Sequence, residues 1–408
     1  MRLVLTANGP GEVAGWLRPL LLRLYERAPD TDVRVFIVPD DYATGREAQI
    51  VRELFPRAHV YDAKRYLAVA FGAGGGELPK QADVVQYLGG DLMHAARLHR
   101  RFGGKASTYK FSRRAYRRLF SRAFAVDARN SDDLLATGMP PEHICVVGNL
   151  AIDGAFIEGS LPPEEEAPDD GILIMPGSRN YEVEHLVPFF LTMAVHIARE
   201  RPDVPMAFGI SPFTPNEQLR EAVARGGDPR VYAKRGRLVE EGARTYLASL
   251  DGRLRVPVLR RALAAARRAR LAVTLPGTKC IELAALGVPT IAITPLNAAE
   301  LATINGPLTY LDRVPAIGRR LKRAVAVSLS RRHALHTQPN IDIGEMIVRE
   351  LHGTLTPGRV ARVALQSYDD RAWLADSASR LRALYAPHAG AADRMACGVL
   401  ELAGASSR

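Results

Sequence analysis

Two α/β domains of the Rossmann type, joined in tandem, are the fold class this sequence predicts, and three observations carry the prediction. Short apolar, β-branched runs alternate with helix-length patterns along most of the 408 residues. One stretch, "SLPPEEEAPDD" at 160–170, breaks that alternation with proline and glutamate and no apolar period. Beyond it the alternation starts again. With 47% hydrophobic and 24% charged residues, the chain can build two ordinary cores.

Before the break the runs are "RLVLTA", "DVRVFIVP", "AHVYDA", "DVVQYLG", "ASTYKF", "RAFAVDA" and "HICVVGN", separated by patterns such as "WLRPLLLRLYERA". After it come "GILIMPG", "VPMAFGIS", "RVYAK", "LAVTLPG" and "TIAITPL". Past Gln338 only helical patterns are read, among them "RVARVALQSY" and "RAWLADSASRLRALYA". The expected domains are 1–165 and 166–340, followed by a helical tail, 341–408, that packs back or exchanges within a homodimer. "FGAGGGELP" at 71–79 reads as a glycine-rich loop.

Lys+Arg 55 against Asp+Glu 44 leaves +11, which implies an acidic partner: nucleic acid, an anionic membrane face or a phosphorylated substrate. Three scattered cysteines without metal-ligand spacing point to a reduced compartment, the cytoplasm. The apolar run before Asn8 is too short for a signal peptide core, and no stretch approaches a membrane span. No cofactor and no metal are expected.

Ligands of such folds sit beyond the carboxyl ends of the strands, so the strand-to-helix junctions carry the functional reading. In "GILIMPGSRNYEVEHLVPFFL", Gly177 lets backbone amides approach a ligand, Ser178 caps a helix or donates to an oxygen, and Arg179 adds a forked cation suited to phosphate. "LAVTLPGTKCIELAALGVPTIAI" repeats the theme: Gly277 and Thr278 start a helix, and Glu282 follows one turn later, where a carboxylate could accept ribose hydroxyls. Thr278 and Glu282 would also serve simply to stabilise a helix start. The opening "LVLTANGPGEVAGW" places Gly11 and Glu12 in a glycine-rich turn that is not a dinucleotide fingerprint. In "ADVVQYLGGDLMHA", Asp91 stands just past a strand, a position for a general base and equally for an N-cap.

Taken in order, these stretches resemble lipid A disaccharide synthase. The matching segments are "GPGEVAG", "VVGNLAID", "IMPGSRNYEVEHLVPFFL", "LPGTKCIELAALGVPTIAI" and "TQPNIDIGEMIVREL", which span the chain. The resemblance implies the GT-B fold, with two Rossmann-like domains facing a central cleft and a C-terminal helical tail. It implies an inverting glycosyltransferase moving a hexosamine from a UDP-sugar donor to a sugar-lipid acceptor at an anionic membrane surface. On that reading Arg179 and Glu282 seat the donor, with Gly277 and Thr278 at the diphosphate and Gly177 and Ser178 among the substrate-binding residues. Gly11, Glu12, Asn149, Asn340 and Glu345 then belong to the substrate site, with Asp91 as the base. Ala14 and Trp16 stand where the family has serine and aspartate, and Asn149 where it has histidine, so the acceptor contacts depart from its pattern.

The basic segment 97–124, ten Lys or Arg interleaved with Phe and Tyr, suits the inner face of the cytoplasmic membrane and peripheral association. No RNA-binding motif accompanies it, so nucleic acid is not the expected partner. Two other readings stand beside the transferase: a UDP-sugar 2-epimerase using the same fold and donor, and a non-catalytic basic membrane- or RNA-binding protein on the same scaffold.

Overall fold

The computed structural model describes residues 1–40, 43–72, 78–297 and 335–404. Most of the glycine-rich loop read at 71–79 lies outside the described residues. The chain divides into two compact units, Met1–Ile157 with Ala386–Arg408, and Glu158–Tyr385.

In the first unit the apolar runs become β1 (Arg2–Ala7), β2 (Asp32–Ile37), β3 (His59–Tyr61), β4 (Val84–Tyr87), β5 (Lys105–Tyr109), β6 (Arg122–Ala125) and β7 (Ile144–Val146). They form one seven-stranded sheet in the order β3-β2-β1-β4-β5-β6-β7, parallel throughout. Helices cover such a sheet on both faces, which is why its inner strands read as unbroken apolar runs. One core cluster gathers Val4, Phe36 and Val85 with Tyr66, Leu98 and Phe102; another joins Tyr87 and Ala123 to Leu92, Phe120 and Leu134. The strand order reverses at β1 and β4, so the crevice of this unit opens beyond those two strands.

The end of the chain returns to the first unit. The helix Ala391–Leu402 lies against Arg18–Arg27, and Arg27 donates to both carboxylate oxygens of Asp393 at 2.6 and 2.7 Å. Asp153 accepts from the Gly390 and Ala392 amides at 2.8 and 2.7 Å, taking donors that a helix start leaves without intrahelical partners.

The second unit contains β8 (Ile172–Met175), β9 (Met206–Gly209), β10 (Gly236–Glu241), β11 (Arg244–Ser249), β12 (Arg255–Leu259), β13 (Leu271–Thr274), β14 (Thr290–Pro295) and β15 (Arg349–Gly353). Their order is β10-β11-β12-β9-β8-β13-β14-β15. From β12 to β15 the pairs are parallel; β10-β11 and β11-β12 are antiparallel. Two expectations are corrected here. "RVYAK" forms no strand, because Pro229–Val231 is a single 3₁₀ turn. Strands do not stop at Gln338, since Arg349–Gly353 pairs with β14.

Helix Val187–Glu200 buries Phe189, Phe190, Leu191 and Met193. Each such side chain contributes about 1.5–3 kcal/mol relative to exposure. A π turn, Glu182–Leu186, precedes this helix, and another, Val13–Leu17, precedes Arg18–Arg27. In both cases a proline follows, Pro188 or Pro19; it has no N–H for the i→i−4 ladder, and a wider turn accommodates the missing bond.

Candidate functional site

In the second unit the strand order reverses around β8, which lies between β9 and β13. The crevice of this sheet therefore opens beyond the carboxyl ends of β8 and β13. Met175 pairs with Thr274 at that end, so the turns 176–179 and 275–277 leave the sheet side by side. The two junctions singled out in the sequence, a hundred residues apart, are neighbours at one switch point.

Their backbone amides are engaged differently. Gly177 has φ +96°, and a Cβ built on it would lie 2.1 Å from Glu182 Oε2, so only glycine fits. That carboxylate oxygen accepts from the Ser178 and Arg179 amides at 2.8 and 2.9 Å. Glu182 is itself mostly buried, while the Arg179 side chain is 52% exposed, with its Nη1 3.6 Å from Glu182 Oε1. An internal carboxylate thus occupies the amides that the sequence reading reserved for phosphate. Helix Thr278–Ala285 differs: its N-cap is Gly277, and no side chain caps it. Its first-turn amides and positive dipole end are the better seat for an anion.

Glu282 lies inside this helix, 3% exposed, with Lys279 Nζ 2.6 Å from its Oε2. Burial pushes the Glu282 carboxyl up, and the Lys279 charge pulls it partly back. Burial acts to lower Lys279, but the attraction of Glu282 and Glu158 outweighs it and raises the amine. Glu282 is therefore a buried, paired carboxylate rather than one presented to ribose hydroxyls.

Other site residues read from the sequence are held elsewhere. Asn340 is fully buried and bonds through its amide to the backbone of 347–348 and to Glu350. Glu345 is paired with Arg380. Asn149 accepts from the Ala151 amide at 3.1 Å at the start of helix Leu150–Gly159.

The switch point of the first unit gathers Asn8, Glu12 and the turn after β4. A Cβ on Gly89 would lie 2.0 Å from Asn8 Oδ1 and 3.2 Å from Glu12 Cγ, so two loops touch across this glycine. Gly11 lies in the short helical turn Pro10–Glu12. Asn8 Nδ2 donates to Asp40 at 2.6 Å. Asp91 caps helix Leu92–Phe102 by accepting from the Met93 amide at 2.8 Å, and its other oxygen is 3.2 Å from Arg113 Nη1. The Tyr87 hydroxyl donates to Gly90 O, and burial with the nearby Glu12, Asp91 and Asp40 charges pushes its phenol well up. Asp40, Tyr87 and His94 escaped the sequence reading, in which Glu182 stands only as an acid in the first turns of a helix and Lys279 only as part of the second junction.

Within the basic segment, Phe102, Tyr109, Phe120 and Phe124 are buried in the first unit, and Phe111 is exposed. Most of its aromatics face the core, not a membrane. Among the described residues no helix is long and apolar enough to cross a bilayer.

No protein-family model matches the chain, and no curated protein matches it in sequence. Solved structures do match in fold. S. aureus MnaA in complex with UDP superposes with TM-score 0.59 at 13% identity, covering 98% of this chain and 96% of that one. The Neisseria meningitidis UDP-GlcNAc 2-epimerase bound to UDP-GlcNAc gives 0.55 at 12%, covering 98% and 100%. The Methanocaldococcus jannaschii UDP-GlcNAc 2-epimerase in complex with UDP-GlcNAc and UDP gives 0.53 at 13%, also covering 98% and 100%. This chain has their GT-B-like fold: two Rossmann-like sheets and a C-terminal helix.

These findings correct the family reading. Among the matching structures are UDP-GlcNAc 2-epimerases, and none of those compared in fold is a lipid A disaccharide synthase. The assignment to that family falls, and with it transfer to a sugar-lipid acceptor and a place in lipid A biosynthesis. Four of the segments behind the resemblance are strand-to-helix turns carrying glycine, after β1, β7, β8 and β13, while "TQPNIDIGEMIVREL" runs from helix Gln338–Ile343 into β15.

Proposed function

We propose that this protein binds a UDP-sugar at the switch point of its second unit and isomerises it at C2, as a UDP-GlcNAc 2-epimerase does. The observation that carries the proposal is the adjacency of the 176–179 and 275–277 turns on paired strands β8 and β13. The uncapped start of helix Thr278–Ala285 receives the pyrophosphate, and Arg179 adds a guanidinium to balance its charge. Three further findings support it: the matching fold, the UDP and UDP-GlcNAc that the solved structures hold, and a net charge of +11 that draws in an anionic nucleotide.

Inversion at C2 breaks and remakes a C–H bond, so the reaction needs a group to exchange that proton. The direct test is incubation of the protein with UDP-GlcNAc in D2O, followed by proton NMR. The expected result is a second UDP-sugar carrying deuterium at C2. Calorimetry with UDP alone tests the seat separately: Arg179→Ala should weaken binding about tenfold, about 1.4 kcal/mol. Tight UDP binding with no exchange at C2 would leave the seat and overturn the epimerase.

A further inference from the structure

We propose a divalent metal site, of zinc-class chemistry, formed by His336, Glu350 and His352. The three offer ligand atoms that all lie within 4.8 Å of one another. His336 Nδ1 is 3.4 Å from Glu350 Oε2, and His352 Nε2 is 3.3 Å from the same oxygen. An ion bound through nitrogen and oxygen at about 2.0–2.1 Å in tetrahedral geometry sets its ligands about 3.3 Å apart. Two edges of that tetrahedron are already in place.

The backbone explains why these residues meet. Glu350 and His352 are two apart on β15, so they project from the same face of the strand. His336 precedes helix Gln338–Ile343, and its amide donates to Glu350 Oε2 at 2.9 Å, bringing the 336–337 segment onto the strand. The other carboxylate oxygen is held on three sides. Oε1 accepts from the Thr337 amide at 2.8 Å, the Thr337 hydroxyl at 2.7 Å and Asn340 Nδ2 at 2.6 Å. Asn340 is fixed in turn by Val348 O and the amides of 347 and 348. Oriented outer partners of this kind accompany metal-ligating carboxylates, because they fix which oxygen faces the ion.

The imidazole ring centroids stand 3.9 Å apart, and one fully buried carboxylate faces both. A divalent ion would draw the three groups together. Two imidazoles and one carboxylate suit zinc or cobalt rather than magnesium or calcium. The imidazoles keep 15% and 29% of their side-chain surface, which leaves a fourth position open to water. The site lies toward the carboxyl end of the sheet, where His352 pairs with Thr294 of β14. It would clip β15 to the segment before Gln338.

The test uses the full chain, stripped with chelator and titrated with CoCl2 in the absence of nucleotide. The proposal expects one equivalent bound, visible bands of a four-coordinate cobalt ion, displacement by ZnCl2 and a raised thermal midpoint. His352→Gln, at the half-buried carboxyl end of β15, should lower affinity at least a hundredfold while circular dichroism stays unchanged, and His336→Ala/His352→Gln should abolish the bands. Cobalt bound equally well by wild type and double variant, or by neither, would overturn the proposal. UDP binding plays no part in the readout, so a failed nucleotide reading leaves this test intact.

Discussion

Asn340→Ala separates a substrate contact from a structural latch. The side chain is fully buried and makes four hydrogen bonds. Nδ2 donates to Val348 O at 2.8 Å and to Glu350 Oε1 at 2.6 Å, while Oδ1 accepts from the Ile347 and Val348 amides at 2.9 and 2.8 Å. With a net contribution of about 1 kcal/mol per bond, truncation costs the second unit about 4 kcal/mol. At an m-value of about 2 kcal/mol/M, that lowers its urea midpoint by about 2 M. The chain has two tryptophans, and Trp373 stacks on Arg349 of β15, with the guanidinium carbon 4.0 Å from the ring centroid. In a Trp16→Phe background, tryptophan fluorescence therefore follows the second unit. Below its unfolding transition, the variant should bind UDP as wild type does. A variant with an unchanged midpoint and weakened UDP binding would refute the latch and return Asn340 to the ligand.

Four further outcomes are expected. Glu182→Gln should cost about 1–2 kcal/mol, because a charge-assisted acceptor of two amides becomes neutral, and should tighten UDP binding by removing a competing anion; unchanged affinity in calorimetry would place the pyrophosphate away from this turn. Gly277→Ala meets no atom within 4 Å but must hold φ +154°, a strain of about 1–3 kcal/mol; UDP affinity should fall as the helix start is re-aimed, and an unaffected affinity would count against that seat. Gly89→Ala puts a Cβ 2.0 Å from Asn8 Oδ1 and displaces the Asn8–Asp40 bond, so the first unit should lose about 2 kcal/mol in chemical denaturation. Burial holds the His94 imidazole below its ordinary value of 6.5, with Arg97 adding to this and Asp91 and Asp40 opposing it, while the Tyr66 hydroxyl lies 2.6 Å from Nδ1. Its contribution is fully present above about pH 6.5 and is lost as pH falls through the lower folded value; thermal midpoints measured between pH 7 and 5 should drop, and His94→Gln should flatten that slope.

The central strands β1, β2 and β4 were legible because they are largely buried and rich in apolar residues, while the edge strands β3 and β7 are short and partly exposed. The edge of the second sheet was not legible. β10 and β11 carry Arg237, Glu240, Glu241 and Arg244, and only Gly236, Leu247 and Ala248 of their residues are buried. At β15 the buried Glu350 breaks the apolar run, because its charge is satisfied by Thr337, Asn340 and His336 rather than by water. A strand held by polar bonds offers no apolar period to read. The strand order, which makes neighbours of the 176–179 and 275–277 turns, is a tertiary fact that no local pattern encodes.

At the candidate site, residue type was legible and engagement was not. Asp91 and Asn149 stand at helix starts and Glu282 lies one turn into a helix, and a carboxylate or amide there serves a cap, an ion pair or a ligand with the same chemistry. What distinguishes these uses is who arrives at the side chain. Arg113 reaches Asp91 from 22 residues away, while Lys279 reaches Glu282 from the same turn. The glycine turns behaved the same way. Both promised bare amides, but Glu182 folds back onto one set and nothing caps the other. A dianionic pyrophosphate near Glu182 meets a like charge, whereas at Thr278 it meets the positive end of a helix dipole, and the carboxylate one turn on, Glu282, is paired with Lys279. The asymmetry orders the two junctions that the sequence presents as equals: in the function we propose, the β13 turn is the seat and the β8 turn contributes through the Arg179 side chain.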